Sequence, residues 1–153
     1  MNTNLITPDG YYLLEEKVRA LKEKLVDANK AVSDGVDDQD FREDSKFIVA
    51  MEEREKIQLK IESIEDTISN AVVAVSNPDS EKVGFGNTVR VLNLDTENER
   101  TFTIVGIHET NPKIGKISHA SPFGKAIVNT SVGDECEIVT PSGEAYWEVL
   151  EIS

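Results

Sequence analysis

The chain has 153 residues, 39% of them hydrophobic and 29% charged, a balance that excludes a disordered protein and allows one or two folded domains. Its formal net charge is -13, divided as -7 over residues 1–75 and -6 over residues 76–153, so neither half carries the basic footprint of a protein that binds naked DNA or RNA alone. No run of 18 apolar residues exists and MNTNLITPDG lacks the basic and apolar regions of a signal peptide, which sets the expectation of a cytoplasmic protein with no membrane partner.

Thr7 and Pro8 open the first predicted helix, the hydroxyl as N-cap and the proline where its missing N–H costs nothing. Leu14, Val18, Leu21, Leu25, Ala28 and Val32 then step by three and four, the a/d seam of a helix that faces a partner helix. A second seam follows in Phe47, Ala50, Arg54, Ile57, Ile61, Ile64, Ile68, Ala71 and Val75, with Arg54 its one polar intruder. Fourteen residues separate the seams, which favours an antiparallel helical hairpin over helices in different domains. Some 25 residues per helix give an arm roughly 35 to 40 Å long.

Between the seams, Ser33 to Asp44 (SDGVDDQDFRED) carries six carboxylates in twelve residues. Asp40 and Glu43 are three apart, so on a helix their carboxylates share one face. Oxygen donors without His or Cys favour Mg²⁺, Mn²⁺ or Ca²⁺ over Zn²⁺, and the glycine of an EF-hand loop is missing. By pattern alone such a tip reads first as a solvated turn whose acids favour a helix N-terminus, and otherwise as half of a metal site completed elsewhere.

Ser76 to Ser80 (SNPDS) ends the helical period, giving an expected hairpin domain over 1–76 and a second domain over 80–153. There the period becomes two: Thr88–Leu94 and Arg100–Val105 are strands joined by the five-residue loop DTENE. A further strand is expected near Gly115–Ser118, and Ser121-Pro122 opens a short helix through about Val128. Glu135–Thr140 and Ala145–Ile152 flank the turn PSGE in a final hairpin. The fold class is therefore α+β: an antiparallel coiled-coil hairpin followed by a small, mostly antiparallel β domain with one short helix. Cys136, the single cysteine, sits in an alternating run as a small buried hydrophobe. His108 and His119 lack metal-ligand spacing and are expected at the surface or locally bonded.

Asp40 to Phe47, DFREDSKF, resembles the D-L-[KR]-E-N-[AS]-E-Y motif at the coiled-coil tip of the bacterial Gre transcript cleavage factors, GreA-like more than GreB-like. FGNTVRVLNLD (Phe85–Asp95), KISHASPFGKAIVNTSVGDE (Lys116–Glu135) and TPSGEAYWEVLEI (Thr140–Ile152) are similar to family segments in order and spacing, so the likeness covers nearly the whole chain. It implies an FKBP-like C-terminal domain that docks on bacterial RNA polymerase and a hairpin that passes down the polymerase secondary channel. There Asp40 and Glu43 would help hold a second Mg²⁺ shared with the polymerase and position the water that cleaves the backtracked RNA 3′ end. The protein is then an accessory factor, not itself an enzyme.

In that frame Arg42 and Lys46 are candidate RNA phosphate contacts, with solvated salt bridges as the alternative, and Ser121, Pro122, Phe123 and Gly124 are the candidate docking segment. Phe123 is either an apolar anchor there or a core residue. Isomerase activity of the FKBP type is not expected, because no aromatic-lined pocket is evident in so aromatic-poor a domain. The tip departs from the motif at Asp44 for Asn, Lys46 for Glu and Phe47 for Tyr, and Gln39 stands where Gly is usual. With Asp34, Asp37 and Asp38 it is similar to the more acidic tips of Gre-homologue inhibitors, so the alternative is a channel-binding regulator that does not stimulate cleavage.

Overall fold

The structure, a computed structural model, describes residues 4–37 and 45–153. These divide into two compact units, Tyr12–Asn70 and a second formed by the chain through Tyr11 together with Ala71–Ser153.

The first unit is the helical hairpin of α1 (Pro8–Asp37) and α2 (Ser45–Asn70). Its seam follows the three-four spacing: Val18, Leu21, Ile57 and Ile61 are buried together, and Leu25, Ala28, Ile64 and Ile68 pack against them. Lys22 Nζ meets Glu65 Oε1 at 2.8 Å on the outside, an exposed pair that contributes little. Arg54 is half-buried, and its Nε is shielded from solvent without a hydrogen-bond partner among the described residues. The polar intruder thus weakens its own stretch of the seam, because a desolvated donor left unpaired costs about 1–3 kcal/mol.

Two boundaries differ from expectation. Helix α1 continues through Ser33–Asp37, so the first part of the acidic stretch is helical, not loop. Helix α2 stops at Asn70, and Ala71 and Val75 are not part of the seam. The Asn70 side-chain amide donates to the Asp66 carbonyl at 2.9 Å, and the backbone then turns to a different partner. Val72 N–H donates to Asn4 O (2.8 Å) and Ala74 N–H to Ile6 O (2.9 Å), which pairs β1 (Leu5–Ile6) in parallel with β2 (Val72–Val73). Long-range backbone pairing overrides the apolar spacing at this end.

The second unit holds a five-stranded sheet in the order β5-β4-β3-β7-β6. Its strands are β3 (Thr88–Asn93), β4 (Glu99–Val105), β5 (Lys116–Ser118), β6 (Glu135–Thr140) and β7 (Gly143–Ile152). All neighbours are antiparallel except β4 and β5, which run parallel. Asn93 Oδ1 accepts from the backbone N–H groups of Asp95 and Thr96 and so organises the loop between β3 and β4. Thr140 pairs with Gly143, so the last turn needs only Pro141 and Ser142, and Gly143 takes the positive φ of 125° that favours glycine.

Alternation places Val89, Val91, Phe102, Ile104, Cys136 and Val149 on the covered face, where they form one core with Val83 and Ile127. The pairing of β3 with β7 slips between Arg90 and Val91, opposing Arg90 to Glu151 and Val91 to Val149 and leaving Leu150 as the extra residue. This bulge changes the parity of β7, so that Ile152 as well as Val149 packs on the core. Asn87, buried beside the sheet, is satisfied at both ends of its amide: Nδ2 donates to Asn77 O and Ser153 O, and Oδ1 accepts from Gly84 N–H. Helix α3 (Pro122–Ile127) closes the covered face through Ile127.

Candidate functional site

The residues that carry the expected chemistry fall into two places, one in each unit. At the hairpin tip, Asp40, Arg42 and Glu43 lie outside the described residues, as do Asp38, Gln39 and Asp44. Around them, Asp34 is exposed on the last turns of α1, Lys46 is exposed on the first turn of α2, and Phe47 is half-buried at the start of the seam. Among the described residues no group of three or more His, Cys, Asp or Glu side chains is placed to hold a metal ion. Oxygen-donor chemistry at this end therefore rests on the sequence of the tip.

The second place is built around α3. Ser121 is its N-cap: Oγ accepts from Gly124 N–H at 3.0 Å and donates to Ser118 O at 2.7 Å. Pro122 occupies the first helical position, where its fixed φ suits the helix and no donor is lost. Gly124 is buried against β5, and a Cβ there would overlap the Ser118 carbonyl, so only glycine lets the helix approach the strand this closely. The side chains of Ser121 and the backbone of Gly124 are thus committed to holding the segment, while Pro122 and Phe123 line an open groove of about 530 Å³.

Phe123 is half-buried, packed on the core on one side and lining the groove on the other. It forms an edge-to-face trio with Phe102 (4.7 Å between centroids) and Trp147 (6.0 Å), with Phe102 and Trp147 6.3 Å apart. These rings, with Ile117, Pro112 and Pro141, make an apolar trough whose one charged lining residue is Arg100. The expectation that this domain has no aromatic-lined pocket is therefore incorrect. Three of its few aromatic residues come from α3, β4 and β7, and the sheet topology collects them; sequence distance concealed the cluster.

His119 also departs from expectation. It is buried, its Nε2 has no hydrogen-bond partner among the described residues, and its ring stands edge-on to Phe85 at 5.5 Å. Burial holds its pKa below the ordinary value, because the imidazolium is the form that loses hydration. It lies in the segment between β5 and α3, two residues before the N-cap of α3. His108 is exposed, and Cys136 is buried with its thiol pKa pushed up by desolvation, the setting of an inert core residue.

Comparison with known proteins covers both units. A family model described as transcription elongation factor, GreA/GreB, C-term matches residues 77–153, and one described as transcription elongation factor, N-terminal matches residues 4–73. The transcription elongation factor GreA of Rhodospirillum rubrum is 39% identical over 151 residues, covering 96% of this chain and 95% of that protein. The corresponding factor of Helicobacter hepaticus is 36% identical, covering 99% and 94%. Among solved structures, GreA factor homolog 1 (Gfh1) of Thermus thermophilus is 30% identical over 97% of each chain, with a TM-score of 0.45.

Proposed function

The chain belongs to the GreA/GreB family of transcription elongation factors, and from that premise we propose that it enters the secondary channel of bacterial RNA polymerase and stimulates cleavage of backtracked RNA. The observation that carries the reading is the family match over both halves of the chain, joined to a carboxylate pair, Asp40 and Glu43, at the turn of a two-helix arm. A two-helix hairpin presents the residues of its turn at one end of the helix pair. A cation-lined partner site is what such acid complements.

In the proposed mechanism Asp40 supplies a hard oxygen ligand and Glu43 orients the hydrated ion or the attacking water. A second Mg²⁺, shared with the polymerase, would stabilise the attacking and leaving oxygens of the phosphodiester when bound. Arg42 and Lys46 offset the repulsion among the tip acids and lie against RNA phosphate. The trough around Phe123 is the docking surface, with Pro122 and Phe123 as its apolar contact and Arg100 at its edge. The polymerase remains the enzyme; this chain supplies the missing ligand.

A second reading is favoured by one feature, the surplus acid of the tip: Asp34, Asp37, Asp38 and Asp44 beyond the pair itself. In it the protein occupies the same channel and slows nucleotide addition without cleavage. Halted, backtracked complexes separate the two. Release of short 3′ RNA fragments on adding the intact protein, lost in Asp40→Ala, supports stimulation; slowed nucleotide addition with no fragments, relieved by neutralising the surplus aspartates, supports the regulator. Neither effect at saturating protein overturns both.

A further inference from the structure

The start of α1 is capped by a residue from elsewhere in the second unit. Thr7 is the N-cap: its Oγ1 accepts from Gly10 N–H at 3.1 Å, and Tyr11 N–H closes the first turn on Thr7 O at 2.9 Å. In a capping box the third helical residue is Glu or Gln, whose side chain turns back to accept the N-cap N–H. Here that residue is Gly10, and the acceptor arrives from 102 positions away: Glu109 Oε2 accepts from Thr7 N–H at 2.9 Å, and Glu109 Oε1 accepts from the Thr7 hydroxyl. The same Oε2 also accepts from Gly106 N–H at 2.9 Å, completing a local cap of the 3-10 turn Ile107–Glu109. One half-buried carboxylate thus serves two caps at once.

The surrounding backbone is shaped to admit it. A Cβ on Gly10 would overlap the Glu109 side chain, and a Cβ on Gly106 would overlap the Leu5 carbonyl in β1. Both glycines have negative φ or helical geometry, so left-handed freedom is not their reason. Close approach is. Glycine within the first turns of a helix carries a conformational cost relative to alanine, and at Gly10 the offsetting gain is the space for this carboxylate.

We propose that Glu109 is a positioning residue for the action of the hairpin: it fixes the first turn of α1, the last part of the second unit before the chain passes into the hairpin. The proposal rests on the polymerase reading above, and it adds a requirement that neither the tip nor the docking trough contains. A polar clamp of three donors on one carboxylate is directional, unlike apolar packing, and so fixes the local conformation of the first turn of α1.

The test uses the full chain with Glu109→Ala, Glu109→Gln, Thr7→Ala and Gly10→Ala, titrated into halted polymerase complexes. The readout is the maximal effect, whether fragment release or slowed nucleotide addition, separated from the half-saturating concentration. In Glu109→Ala and Gly10→Ala the maximal effect falls about tenfold while half-saturation stays within about twofold, as for a misplaced rather than a missing contact. Glu109→Gln, which keeps an oxygen acceptor for Thr7 N–H, recovers most of it. Gly10→Ala guards against simple misfolding, since alanine favours the helix while displacing the carboxylate. Folded Glu109→Ala and Gly10→Ala proteins with the wild-type maximal effect overturn the proposal. Should the wild type itself have no effect on polymerase, it is the functional reading that fails, and amide exchange still judges the clamp: Gly10 and Tyr11 must exchange faster in both variants while Ile61 is unchanged, and equal rates overturn it.

Discussion

The two units are stabilised in different ways. The hairpin buries one stripe per helix in a single seam, so Val26, Ile48, Val49 and Leu59 remain exposed and each seam residue touches neighbours on one side only. The sheet unit encloses its core: Val89, Val91, Ile104 and Ile127 have no solvent exposure at all, and strands β3, β4 and β7 support one another through long-range pairing. An element stabilised by a repeating local pattern can carry function at its far end at little cost to the fold. One stabilised by enclosure cannot, and it is open to a partner only where the enclosure ends, as at the trough beside α3 proposed for docking.

Four measurements test this contrast. The largest effect is expected at the tip, where Asp40→Ala reduces fragment release by about 10²-fold or more, the loss of several kcal/mol of charge stabilisation, with no change in the unfolding midpoint. Single-turnover cleavage and thermal melts on the same sample check it. Next, Ile104→Ala destabilises the sheet unit by about 3–5 kcal/mol, whereas Ile61→Ala in the open seam costs nearer 2 kcal/mol, because the hairpin can close over the lost volume. Urea unfolding followed separately by tryptophan fluorescence (Trp147) and by helical circular dichroism resolves the two; equal costs would remove the distinction between seam and enclosure.

A smaller, opposite effect is predicted for Arg54→Leu, which replaces a seam donor lacking a partner by an apolar side chain and stabilises the hairpin by about 1 kcal/mol. A destabilised hairpin would instead mean that Arg54 contributes through its alkyl stem. The smallest effect concerns pH. Burial depresses the pKa of His119 in the folded chain below its ordinary value of 6.5, so in the window just below that value the unfolded chain binds more protons. The contribution is fully present above 6.5 and is lost as pH falls through the folded value. Between about pH 7 and about pH 5 the melting temperature of the wild type should drop more than that of His119→Asn. Parallel curves would show that His119 is not the group responsible.

How much was legible differs between the units for the same reason that their stabilities differ. The seam of Val18, Leu21, Ile57 and Ile61 is a local period and could be read directly, as could the alternation of Val89 with Val91 and of Phe102 with Ile104. The end of α2 was not, because Val75 continues the spacing and only the pairing of Leu5–Ile6 with Val72–Val73 removes it from the helix. The burial of His119 is not legible because nothing in SHASPF signals that its ring packs against Phe85. Glu109 was missed altogether. Gly106-Ile107-His108-Glu109 carries the spacing of a local cap, but its second role joins it to Thr7 across 102 positions.

The hairpin, the strand positions in the sheet unit, the acidic tip and the family can be read from the chain alone, since each is written in spacing or in contiguous motifs. Tertiary structure alone decided which aromatic residues form the trough, that His119 is buried, where β7 changes parity, and that one carboxylate caps two helices. The physical reason is range. Periodicity reports what a residue does for its own helix or strand, whereas burial and side-chain hydrogen bonds depend on which distant segments the sheet brings together.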